Sequence, residues 1–172
     1  MPVPPAPLAP PRLEGRQVLF DPVVPGALDP AARGLFVAAS ERIARGADPE
    51  AALAASLAAL GAGACTAWTV APRGGPPVGL AWLTAAVRAA GDASQGLPVA
   101  VAGLSWPSRP AAHEAALSEA LLLLLGDAFE TRACHAVTVR AAPWTRRSSR
   151  PVPILASEWP FLRASLSARA AR

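Results

Sequence analysis

The 172-residue sequence contains no Lys, no Asn and no Tyr, so all 16 of its basic residues are Arg. Ala, Arg, Gly and Pro take the vacated share, as in proteins from GC-rich genomes. Under such a bias an Ala can stand where chemistry favours Gly or Asn. Cysteine is scarce: Cys65 and Cys134 are the only two, which fits reduced core thiols of a cytoplasmic protein better than a disulfide framework. The two His and two Cys do not have zinc-like spacing, so no metal site is expected. No long apolar run is free of charge, so no membrane span is expected. The opening MPVPPAPLAPPR has neither a basic start nor an apolar stretch, and no signal peptide is expected. There is no internal repeat.

What remains is apolar enough to fold. Hydrophobic residues make up 52% of the chain, against disorder, and the length suits one domain with a full core. Residues 1–12 read as a Pro-rich disordered or extended lead-in and 13–172 as a single domain. The net charge of +4 is modest, and a pI near 10.8 reflects the use of Arg alone.

Residues 17–24 form a short strand candidate. Asp29-Pro30 and Asp48-Pro49 each place an acceptor side chain before a Pro, the signature of a helix start. The first helix runs to about Ala44 with Leu35, Ala39 and Ile43 on one face; the second carries Leu53, Leu57 and Leu60 and stops at Gly61–Gly63. Strands are expected over 65–71 and 78–84, joined as a hairpin, and over 98–106. The longest helix covers 112–130. Its Leu117, Leu121, Leu124 and Ala128 recur at helical spacing, and Leu122, Leu123 and Leu125 widen that face. Strands over 135–141 and 152–155 and a tail helix with Trp159, Leu162 and Leu166 on one side complete an α/β or α+β layered domain. Segment 85–97 is ambiguous.

A strand that feeds a helix N-terminus makes an anion site, since unpaired N–H groups and the helix dipole converge there. The segment 108–118 is that place. The backbone reading stays open between a phosphate cradle and an ordinary helix start.

Several stretches resemble the GNAT superfamily of acetyl-CoA-dependent N-acetyltransferases, in particular the RimJ/RimL-type branch that acetylates N-termini of ribosomal proteins. Residues 13–19 (LEGRQVL) resemble its opening strand, 102–106 (AGLSW) its E-I-G-x-T-W strand, 118–130 (SEALLLLLGDAFE) its T-E-A-K-L-L-L-L-x-H-A-F-E helix, and 157–160 (SEWP) its terminal helix start. Trp106 and Glu119 keep the family spacing. The resemblance implies a mixed, mostly antiparallel sheet flanked by helices, with the strand before the long helix splayed from its neighbour. It implies acetyl-CoA as co-substrate and, as acceptor, an amine-bearing small molecule or a protein N-terminus. Acetyl-CoA would meet Leu104, Ser105 and Trp106 on the strand, then Ala112, His113, Glu114, Ala115, Ala116, Leu117 and Ser118 at the turn, and Thr145; Ser148 would protonate the leaving thiolate.

The departures fall on the chemistry. The turn holds no Gly where the family cradles a pyrophosphate. The family's strand carboxylate falls at Val101, and a helix and strand after Ser148 are missing. A catalytically inactive scaffold is therefore the alternative to an enzyme. His113 reads as a phosphate donor or base, or as a solvated cap; His135 reads as structural. Glu119 reads as a catalytic carboxylate or as a support between the helix and the strand loop. Arg140, Arg146, Arg147 and Arg150 form the densest basic patch, but only Trp144 accompanies it, so no specific nucleic-acid binding is expected.

Overall fold

The computed structural model describes residues 10–43, 48–85, 98–106, 114–141 and 153–172. Among these lie strands β1 (Leu13–Glu14), β2 (Val18–Pro22), β3 (Cys65–Pro72), β4 (Gly79–Ala85), β5 (Val99–Ser105), β6 (Ala136–Ala141) and β7 (Pro153–Leu155). The helices are α1 (Pro30–Ile43), α2 (Pro49–Gly61), α3 (Glu114–Gly126) and α4 (Trp159–Ala170). The strands form one seven-stranded sheet in sequence order. Every neighbouring pair is antiparallel except β5–β6, which is parallel.

Local chemistry sets the helix starts. The Asp29 carboxylate accepts from Ala32 N at 2.7 Å, and that of Asp48 accepts from Glu50 N at 3.2 Å. Each bond satisfies an amide that a helix leaves without a partner.

Strand alternation then divides the core in two. On one face Trp68, Val70, Ala81, Leu83, Ala102 and Leu104 meet α3 and α4. On the other, Ala67 and Leu80 meet Phe36 of α1 and Leu53 and Leu60 of α2. Helix α4 lies along α3, with Trp159 and Leu166 buried.

Four expectations are corrected. The opening strand is a hairpin, β1 and β2, bent at Gly15–Gln17. The buried line of α3 is Ala116, Ala120, Leu124 and, in the turn beyond it, Ala128, whereas Leu117 and Leu121 are half-buried. Small side chains let the helix axis approach the sheet, and the bulkier leucines fill the flanks. In α1 the buried residues are Ala32 and Phe36 rather than Leu35; the side chains of Ala39 and Ile43 lie outside the described residues. Finally, β5 and β6 do not splay among the described residues: they pair from Val99↔Ala136 to Leu104↔Ala141. The ambiguous segment is described only at Ala85, which ends β4.

Candidate functional site

The registers Val18↔Pro72, Val70↔Gly79 and Leu80↔Ser105 bring the start of β2, the end of β3, the start of β4 and the end of β5 to one end of the sheet. Helix α3 begins at that end. Leu104, Trp106 and Ala116 belong to one buried cluster, with Leu117 against it. The structure thus brings together two sets of residues singled out from sequence, Leu104–Trp106 and Glu114–Ser118. Ala112, His113, Thr145 and Ser148 lie outside the described residues, as do Trp144, Arg146, Arg147 and Arg150.

Side chains at the start of α3 divide by direction. Glu114 is exposed, Ala115 and Leu117 are half-buried, and Ala116 and Ser118 are buried. Amides in the first turn of a helix have no carbonyl one turn back to bond. The arrangement fits an anionic group held by backbone N–H.

On the opposite face of β5, Val101 stands in one row with Thr84 of β4 and Thr138 of β6. The Thr84 hydroxyl donates to Cys65 Sγ at 3.6 Å. In the next row the Trp82 indole lies against Gly103 so closely that a Cβ at residue 103 would overlap the ring.

Glu119 resolves to the supporting reading. It is buried, 6% exposed, and its carboxylate accepts from three successive amides: Arg16 N at 2.8 Å, Gln17 N at 2.6 Å and Val18 N at 2.9 Å. Successive N–H groups of this kind form an anion nest, and here the anion is the protein's own. The same bend is clasped from outside by Arg73, whose Nε donates to Gly15 O at 2.8 Å and whose N donates to Gln17 O at 2.7 Å. Gln17 Nε2 donates to Ala170 O at 2.7 Å at the end of α4. Three of the carboxylate's roughly four acceptor positions are thus taken by the protein's own backbone.

At the far end of α3 the helix continues as a π turn over Asp127–Thr131. The ring of Phe129 stacks on that of Trp159, with centroids 5.4 Å apart. Trp159 Nε1 donates to Glu130 Oε1 at 2.9 Å. Two stretches that carried the resemblance, one ending α3 and one opening α4, therefore meet. His135 acts through its backbone: its N–H donates to Pro98 O at 2.7 Å and its carbonyl accepts from Ala156 N at 2.9 Å. Among the described residues no group of three or more His, Cys, Asp or Glu is placed to hold a metal ion, and no helix is long and apolar enough to cross a membrane.

Solved structures share this arrangement. One, described as an acetyltransferase, is similar with a TM-score of 0.58 at 22% identity, over 93% of this chain and 97% of its own. The chain has the GNAT acetyltransferase fold. A GCN5-related N-acetyltransferase from Brucella melitensis matches with a TM-score of 0.55 at 18% identity, over 91% of this chain and 84% of its own. A protein from Vibrio cholerae described as a ribosomal-protein-serine acetyltransferase matches with a TM-score of 0.51 at 12% identity, over 92% and 81%. No family model and no curated protein matches the sequence. Within the GNAT fold, the parallel pair β5–β6 and the start of α3 form the central feature of this chain.

Sequence reasoning missed the pairing of Asp127 with Arg132. These residues are five apart, a spacing that an α-helix places on different faces and that only the π turn brings together.

Proposed function

We propose that the chain is an N-acetyltransferase of the RimJ/RimL type, built as a single domain over 13–172 behind the lead-in and acting in the cytoplasm. It transfers an acetyl group from acetyl-CoA to a primary amine or a protein N-terminus, slowly. The observation that carries this reading is the start of α3 beside the end of β5 on a GNAT fold, with Glu114 turned to solvent.

Acetyl-CoA supplies an activated thioester. Backbone amides of the 112–118 segment would hold its pyrophosphate, and Thr145 would add a contact. The backbone of Leu104–Trp106 polarises the thioester carbonyl, and the chain contributes mainly positioning. Ser148 gives a proton to the departing thiolate. Val101 and its two Thr neighbours offer no base, so the amine must arrive neutral and turnover is slow.

The same row favours the second reading, a catalytically inactive GNAT-like scaffold that binds a ligand or partner. Titration with acetyl-CoA, read as a rise in melting temperature, tests binding, because a ligand selective for the native state stabilises it by mass action. Release of free thiol with a panel of amines and N-terminal peptides tests turnover. We expect a weak shift that strengthens in Ala115→Gly, together with slow thiol release. A shift without release leaves the scaffold that binds acetyl-CoA. No shift at millimolar acetyl-CoA in either protein ends the acetyltransferase reading.

A further inference from the structure

At the opposite end of the sheet from the start of α3 lies a cleft of about 430 Å³, bounded by Pro10, Pro11, Val23, Val24, Pro25 and Leu60 and closed by Thr66 and Arg132. Its lining mixes apolar Pro, Val and Leu side chains with polar groups in nearly equal share, and Arg132 is the one charged side chain among its lining residues. A ligand site commonly sets an apolar wall beside polar groups that fix the ligand's orientation.

Arg132 is held on its inner side. Nε donates to Asp127 Oδ2 at 2.7 Å, and Nη1 donates to Thr66 Oγ1 at 3.1 Å. The guanidinium also lies over the Trp68 ring, 5.8 Å from its centroid. None of these contacts uses Nη2. The Asp127 side chain is only 1% exposed, and its Oδ1 has no hydrogen-bond partner. A buried carboxylate with one oxygen unsatisfied is a net cost; what the fold obtains from it is an arginine fixed in one orientation. The last carbonyls of α2 beside the cleft do not present a bare negative helix end, because those of Ala58, Ala59 and Leu60 accept from Ala62, Ala64 and Gly63 N.

We infer that this cleft binds a small carboxylate with an apolar body, its carboxylate on Arg132 and its body against the Pro–Val wall. The donor fork of a guanidinium matches a carboxylate, and the lining residues bring no carboxylate of their own to compete. The site is separate from the start of α3 and its occupancy does not depend on acetyl transfer.

Cys65 lines the same cleft and serves as the reporter. The probe is octanoate, with methyl octanoate as the uncharged control, on the full chain carrying Cys134→Ser. Alkylation of Cys65 is followed at alkaline pH, because burial holds this thiol above its ordinary range. Octanoate should slow alkylation severalfold and raise the melting temperature; the ester should do neither. Arg132→Gln should abolish the protection and Thr66→Val should weaken it. If Arg132→Gln does not fold, the acid–ester comparison in the parent protein decides alone. Equal protection by acid and ester, protection that survives in Arg132→Gln, or no protection by octanoate overturns the inference.

Discussion

The Glu119 carboxylate stands in the space that a Cβ on Gly15 would fill. Three amides hold that carboxylate in place, so it cannot swing aside without losing bonds. Gly15→Ala should therefore cost about 1–3 kcal/mol, as overpacking does. Glu119→Ala should cost at least about 3 kcal/mol, since it leaves three amides without their acceptor. The costs should not add. In a Glu119→Ala background, Gly15→Ala should be nearly silent, because the clash has gone. Urea unfolding of the two single variants and the double variant measures this, and strictly additive losses would refute the link.

A second close approach joins β4 to β5. The Trp82 ring covers Gly103, its direct partner across the strands. Gly103→Ala should destabilise by about 1–3 kcal/mol through overpacking, and Trp82→Ala should remove most of that penalty. If Gly103→Ala costs as much with Ala at 82 as with Trp, the ring is not the obstacle.

The alkaline limb of stability should report the two thiols. Burial raises Cys65 and Cys134 above the ordinary value. The unfolded chain then loses its thiol protons at lower pH than the native one, so it binds fewer protons as pH rises and stability falls. Their contribution should be full below the unfolded thiol range and lost as pH rises through it to the folded values. With no Lys and no Tyr in the chain, no other side chain ordinarily titrates there. Chemical denaturation at pH 7 and pH 10 should show the drop, and Cys65→Ser with Cys134→Ser should flatten it. An undiminished drop in the double variant would assign it elsewhere.

The joint between α3 and α4 should be sensitive in steps. Trp159→Phe keeps a ring on Phe129 but loses the bond to Glu130. That carboxylate is half-exposed and also pairs with Arg163 at 3.2 Å, so the loss should be about 1 kcal/mol. Trp159→Ala empties the joint and should cost about 3–5 kcal/mol. Thermal unfolding should rank parent, Phe and Ala in that order; equal loss in both variants would mean that the indole N–H carries the joint.

The sheet edge at β7 is blunted by its own residues. Pro153 has no N–H, and the Leu155 N–H is taken by Glu158 Oε2 at 2.8 Å. Both features are ways of denying an edge to a further strand. Glu158→Ala should thus raise the tendency to associate, seen as concentration-dependent sedimentation, with little change in melting temperature. Sedimentation identical to the parent protein would show that Glu158 does not guard the edge.

The sequence by itself determined the elements whose causes are local. Asp29-Pro30 and Asp48-Pro49 start helices because a short side chain and a preset φ act on the next few residues. Strand patterning placed the hairpin of 65–71 and 78–84, and the chain order specified the layered α/β class. The site was legible to the extent that a strand end, 104–106, feeds a helix start. Tertiary structure decided the rest. The leucines of α3 are too evenly spread for periodicity to choose between the Leu117–Leu121 line and the Ala116–Ala120 line; contact with the sheet chose the small residues. Glu119 read more readily as a support than as a catalytic carboxylate, but its partners lie more than 100 positions earlier in the chain and only folding identified them. Asp127 and Arg132 read as unrelated until a π turn placed one beside the other. In each case the deciding energy is a contact between distant segments, and such a contact exists only once the chain has folded.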